Sequence, residues 1–245
     1  MNAVGIIFSN IYDNALSELT RERTVASLPF AARYRQIDFL LSNMANSGMS
    51  QIGIITKYNY RSLMDHLGSC AEWDLNLKNN GLVILAPYAT SHSGIYRGKL
   101  EALYNSLDFL ETVDDEYVIL SDSVAICAMD FRKILAEHVE SGCDVTAVVT
   151  PYKSDLEKTF PIAVELDGKG NVRDMGVNVG LRDDLGGMAG MGGQINIIFD
   201  LLPTAGFFNI LNDSRMILAV SRVGIDDKDM PHGISPSICV WDKFI

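Results

Sequence analysis

Short, continuously apolar runs alternate with stretches of helical spacing, and this alternation constrains the chain more than any other feature. The runs lie at residues 3–8, 52–56, 82–85, 117–120 and 145–149. Between them Ile37, Leu40, Leu41 and Met44 recur at helical spacing within 36–46. Helices are also expected over 59–67, over 100–110 (Leu100, Leu103, Tyr104 and Leu107 on one face) and over 131–139. Strands that are apolar on both faces belong in a parallel sheet covered by its crossover helices. The predicted fold is therefore α/β, a doubly wound and mostly parallel sheet. Ligands on such sheets bind beyond the carboxyl ends of the strands, which singles out the loops at 9–29, 57–60, 87–98 and 121–129.

The pattern changes near residue 161. Residues 162–166 and 172–175 flank Asp167-Gly-Lys-Gly170 and read as a β-hairpin. Five glycines within 186–193 read as a mobile loop, and 194–199 as a further strand. Beyond residue 203 no period survives. The expectation is one domain over 1–202, with 203–245 an unassigned tail that completes the same domain or stands outside it.

A hydrophobic content of 48% over 245 residues supplies a sizeable core. The formal charge of −11 argues against a nucleic-acid backbone or an anionic membrane as partner. Any phosphate must meet a local basic cluster. Cys70, Cys127, Cys143 and Cys239 have no metal-pair spacing and read as reduced thiols of a cytoplasmic protein. The apolar N-terminus is too short to span a membrane and lacks a signal peptide's charged lead-in. His66, His92, His138 and His232 have no partner at metal or catalytic spacing, and no nucleophile elbow surrounds Ser9, Ser42 or Ser123.

Several segments carry a specific pattern. They are Leu28-Pro-Phe-Ala-Ala-Arg-Tyr-Arg-Gln-Ile-Asp-Phe-Leu-Leu-Ser-Asn43, Asn46-Ser-Gly48, Ser62-Leu-Met-Asp-His-Leu-Gly68, Trp73-Asp-Leu75 and Tyr96-Arg-Gly98, followed by Ala102, Tyr104 and Leu107-Asp108. In this order and spacing they resemble ADP-glucose pyrophosphorylase (glucose-1-phosphate adenylyltransferase) across roughly the first two-thirds of the chain. The resemblance implies a Rossmann-like nucleotidyltransferase domain. It also implies the joining of ATP and glucose 1-phosphate into ADP-glucose and pyrophosphate, for glycogen biosynthesis. The left-handed β-helix that normally follows in the family has no counterpart here, so the chain is a fragment or its tail has diverged.

The departures from the family are concentrated at charged and glycine positions. Where the family reads Gly-Gly-x-Gly-[Ser/Thr]-Arg-Leu, this chain reads Asn10-Ile-Tyr-Asp-Asn-Ala-Leu16. Glycines let backbone N–H groups approach a triphosphate; asparagine and isoleucine obstruct that approach, and Asp13 is expected to place a negative charge where phosphate would lie. The family's arginine falls on Ala15, and losing one such donor costs on the order of 10²–10³ in rate. Its lysine falls on Val25, its metal-binding aspartate on Val124, and its Glu-Lys pair on Val177 and Asn178. Asp122 lies close by, and a register shift would restore a carboxylate there. Phosphoryl transfer depends on Mg²⁺, so Mg²⁺ is expected only if activity remains.

This pattern is similar to the non-catalytic, regulatory subunit of two-subunit bacterial enzymes. It implies a hetero-oligomer with a catalytic subunit and no catalytic or metal-binding residues of its own. Vestigial nucleotide-binding candidates are Lys57, Gly98 and Asp122. Arg33 and Arg35 are candidates for a sugar-phosphate effector, as a basic residue at the Arg33 position is in the family; the alternative is a solvated basic pair before a helix. Asp38 fits a helix-dipole role. Two other readings stay open: an active enzyme with a rearranged site using Asp122 for metal and Lys57 or Arg23 for phosphate, or a truncated binding module.

Overall fold

Ala3–Phe8 forms a strand, β1, whose six residues are all buried, as its unbroken apolar run requires. The computed structural model describes residues 1–10, 13–77, 81–87, 99–124, 126–143 and 145–148, apart from the side chains of 14, 15 and 100; beyond these it describes only the backbone of five strands. The chain divides into two compact units, Met1–Leu135 and Ala136–Ile245.

In the first unit β2 (Pro29–Phe30) and β3 (Tyr34–Arg35) make a short antiparallel hairpin. It leads into α1 (Gln36–Asn46), followed by β4 (Ile52–Ile55), α2 (Arg61–Leu67) and β5 (Leu82–Leu85). Then come α3 (Lys99–Tyr104), α4 (Leu107–Leu110), β6 (Tyr117–Asp122) and the start of α5 (Phe131–Ser141). Strands β6, β1, β4 and β5 lie side by side in that order, every pairing parallel.

Helices cover both faces of this sheet. A Cβ on Gly5 would come within 2.7 Å of Met44 Sδ on α1. On the neighbouring strand a Cβ on Gly53 would meet Leu85, Ile6 and, from α4, Phe109 Cε1 at 3.0 Å. Gly5 is level with Ile52, so Gly53, one residue on, faces the other way. The apolar stripe of α1 (Ile37, Leu40, Leu41, Met44) is buried, and each such side chain contributes about 1.5–3 kcal/mol.

Helix α1 has the bounds its spacing predicts. The single helix expected over 100–110 is two short ones. The Ser106 hydroxyl donates to the Ala102 carbonyl at 2.9 Å, a side-chain bond that competes with the helix ladder. Leu103 is buried as expected, but Tyr104 is exposed. The β2–β3 hairpin was not foreseen: Ala31 and Ala32 hold φ of 48° and 70°, a turn chemistry that normally announces itself with glycine or asparagine.

In the second unit β7 (Val145–Val148) pairs in parallel with β12 (Ile238–Trp241) and antiparallel with β11 (Asn196–Asp200). The predicted hairpin is present and longer than expected, as β8 (Thr159–Leu166) and β9 (Val172–Gly180). Met191–Gly192, taken from sequence as part of a mobile loop, forms β10 and pairs with β8; the rest of that loop lies outside the described residues. Cys70 and Cys127 are free thiols, as expected. Cys143, however, is disulfide-bonded; spacing along a chain does not reveal which thiols a fold brings together. No helix among the described residues is long and apolar enough to cross a membrane.

Candidate functional site

The carboxyl ends of β1, β4 and β6 form the mouth of the parallel sheet, and the loop leaving β1 is closed by its own side chains. Ser9 N–H donates to the Ile55 carbonyl at 3.1 Å. The Asn10 amide then bridges two loops: its Oδ1 accepts Lys57 N–H at 2.7 Å, while Nδ2 donates to the Tyr58 carbonyl at 3.0 Å and to Asp13 Oδ2 at 2.5 Å. Asp13 Oδ1 accepts Val25 N–H at 2.8 Å. The Thr20 hydroxyl donates to the Asp13 carbonyl.

These bonds fix Asp13. Its carboxylate is buried, only 4% exposed, and accepts the Val25 N–H. Burial raises its pKa, opposed by the Val25 N–H and the Asn10 amide. Tyr58 is also raised, by burial and then by the negative charge of Asp13. A Gly-rich loop leaves its N–H groups facing a ligand; here one side chain has folded back to take the Val25 N–H.

Asp122 ends β6, level with Phe8 of β1, and is 4% exposed. Lys99, at the start of α3, donates to its Oδ2 at 2.9 Å. The same ammonium lies 2.8 Å from Oδ1, so the ion pair spans both carboxylate oxygens. It also lies 5.5 Å from the centre of the Phe8 ring. Lys99 was missed in the sequence. Its one signal is its place directly after Gly98, at the head of a helix returning to the sheet.

The other predicted residues are spread around this mouth. Lys57 follows β4, its N–H held by Asn10 and its ammonium 5.9 Å from the Tyr58 ring. Gly98, Ile11 and Tyr12 lie outside the described residues, as do the side chains of Ala15, Val177 and Asn178. Val25 is buried. Val124 is half-buried, two residues past β6. The two arginines part company. Arg33 is exposed with its guanidinium 5.5 Å from the Tyr34 ring. Arg35 turns inward, its Nη1 donating to the Ser27 carbonyl at 2.9 Å and to Ser62 Oγ at 2.7 Å.

Asp38, third residue of α1, accepts Arg35 N–H at 2.9 Å and sits 2.6 Å from His66 Nε2. This is the reciprocal half of a capping box, placed where a negative charge favours the helix dipole. Asn43, one turn on, fixes the loop after β6 by donating to the Cys127 carbonyl at 2.7 Å. An open groove of about 980 Å³ runs along the outer side of α1, between Trp73-Asp74 and Ile126-Cys127.

Does this mouth suit a divalent ion? Among the described residues no three His, Cys, Asp or Glu side chains converge. The one carboxylate on β6's end already faces an ammonium. A magnesium ion, held through one or two carboxylates and substrate phosphates, would have to displace Lys99. The described residues at this mouth do not fit it.

A parallel sheet with helices on both faces and its loops gathered at the carboxyl edge defines the class, a doubly wound α/β domain. The nucleotidyl transferase family model matches residues 6–176, and the chain belongs to that family. It is 40% identical over 145 residues to the glycogen biosynthesis protein GlgD of Bacillus subtilis (strain 168), covering 59% of this chain and 42% of that protein. The GlgD of Geobacillus stearothermophilus is 41% identical over 146 residues, covering 59% and 43%. The glucose-1-phosphate adenylyltransferase of Bacillus mycoides (strain KBAB4) is 37% identical over 161 residues, covering 65% and 43%. The chain thus spans about two fifths of the length of the curated relatives it matches.

Proposed function

We propose that this chain is a regulatory, catalytically impaired subunit of glucose-1-phosphate adenylyltransferase. It would act in glycogen biosynthesis in the cytoplasm, in a hetero-oligomer with a catalytic subunit. The observation that carries the reading is the loop after β1. Asn10 and Asp13 tie it to Lys57, Tyr58 and Val25, while α1 keeps a capped first turn. Two relatives named as glycogen biosynthesis proteins support the glycogen-biosynthesis part of this reading.

The chain would work by binding one conformational state of its partner better than another. It can shift that equilibrium only by its difference in affinity for the two states. Arg33, exposed on the β2–β3 hairpin, and Arg35 behind it remain the candidate contacts for a sugar-phosphate effector, with Lys57, Gly98 and Asp122 the vestigial nucleotide contacts. The test is a mixing assay. Pyrophosphate release by a catalytic subunit is followed with and without this chain over a range of effector concentrations. The expected result is a changed half-saturating effector concentration together with negligible release by the chain alone. Turnover by the isolated chain at a catalytic subunit's rate would overturn the proposal.

A further inference from the structure

The groove along α1 is preformed, because both its walls hang from neighbouring residues of that helix. On one side Trp73 Nε1 donates to Ser42 Oγ at 3.1 Å. On the other the Asn43 amide donates to the Cys127 carbonyl at 2.7 Å and accepts Met129 N–H at 3.3 Å. The walls differ in chemistry. The first carries Glu72 and Asp74 on either side of Trp73, and the second carries the exposed Ile126. Asp38 also lines the groove, but its carboxylate is taken by Arg35 N–H and His66. No lysine or arginine lines it among the described residues. Glu72 and Asp74 are exposed and have no ion partner among the described residues.

The β2–β3 hairpin adjoins this groove, since Tyr34 is part of the lining. Its surface is the chemical complement. Phe30 and Tyr34 pack on Phe39, with ring centres 5.4 and 5.8 Å from it, yet are 41% and 45% exposed. Arg33 is exposed beside the Tyr34 ring and has no acidic partner among the described residues. The turn between the strands holds Ala31 and Ala32 in the left-handed region. Such strain persists where the structure over-determines it, and it gathers at working surfaces.

We propose that the hairpin of a second copy of this chain fills the groove, and that the exchange is mutual. A twofold axis between hairpin and groove lays each hairpin over the other copy's groove, the self-complementary contact of a symmetric dimer. Phe30 then meets Ile126 and Trp73, and Arg33 reaches Glu72 and Asp74. Two chains of charge −11 repel each other, but salt screens that repulsion beyond about 8 Å, whereas an arginine–carboxylate contact is short-range and directional. A hairpin in a groove is a small interface, so the dimer is weak and depends on concentration. The inference goes beyond the proposed function and can fail separately from it, because it is measured with no catalytic subunit present.

The experiment is sedimentation equilibrium of the full chain over a range of concentrations. A monomer–dimer equilibrium is expected. Arg33→Glu and Glu72→Arg should each weaken dimerisation by about tenfold or more, since each reverses a charge at both contacts. The two variants mixed in equal amounts should dimerise within about threefold of the parent, because each hairpin then faces a groove of opposite charge. Arg33→Gln and Glu72→Gln should act in the same direction by less, and they take the place of a reversal that does not fold. A dimer that the substitutions leave unchanged, or a mixture no tighter than its two components, would overturn the proposal. So would a monomer at every concentration, which would leave the groove to a basic segment of another protein.

Discussion

The junction ahead of α1 and the loop leaving β1 both turn on a buried aspartate that accepts a backbone N–H, yet their balance differs. Asp38 takes Arg35 N–H and lies against His66, in the first turn of a helix whose dipole favours its charge. Asp13 takes Val25 N–H and the Asn10 amide, both neutral, and burial dominates its titration. The first carboxylate is compensated where it stands. The second is held despite its desolvation, and what it achieves is closure of a loop. A helix lead-in and a loop closure can therefore use the same residue type with opposite electrostatic balance.

Removing each carboxylate tests that contrast. Asp38→Ala should have the larger effect, a loss of about 2–4 kcal/mol in unfolding free energy, since two bonds to a charged group vanish. Denaturant titration of the purified chain measures it. Asp13→Ala strands the buried Val25 N–H, which costs about 1–3 kcal/mol, but it also relieves a desolvated charge, so its net loss should be smaller. A larger loss for Asp13→Ala than for Asp38→Ala would break the comparison.

The smallest effect is one of pH. Because Asp13's native pKa is raised, the folded chain takes up this proton before the unfolded chain does. As pH falls from neutrality through the native pKa towards the unfolded value near 4, that uptake stabilises the fold. The parent should therefore gain stability relative to Asp13→Asn as pH is lowered. Paired denaturation curves at neutral and mildly acidic pH would show it, and a gap that stayed constant or moved the other way would remove Asp13's uncompensated charge from the argument.

What the sequence disclosed and what it hid follow the same division. β1, β5 and α1 have the predicted bounds, because a continuous apolar run or a 3.6-residue stripe is a local signal that burial reinforces. The break between α3 and α4 depends on one hydroxyl finding one carbonyl. The β2–β3 hairpin depends on two alanines in the left-handed region, where no residue type announces the turn. At the mouth, Asp122 was visible as a carboxylate near a matched segment. Its partner Lys99 was not, since 23 residues separate them and only the meeting of α3 with β6 makes them a pair. That Asp13 would fasten Val25 was not legible either, because neither composition nor spacing tells a side chain which way to turn.

One amide side chain sets the mechanics of this edge. Asn10 has both its oxygen and its nitrogen engaged across the gap between the β1 and β4 connections, and its remaining donor reaches Asp13, which in turn fastens Val25. Three stretches of backbone far apart in sequence are thus bolted through a single residue. They cannot loosen one at a time: a fluctuation that frees any of them must slacken the others, and the rim behaves as one hinged piece instead of three independent flaps.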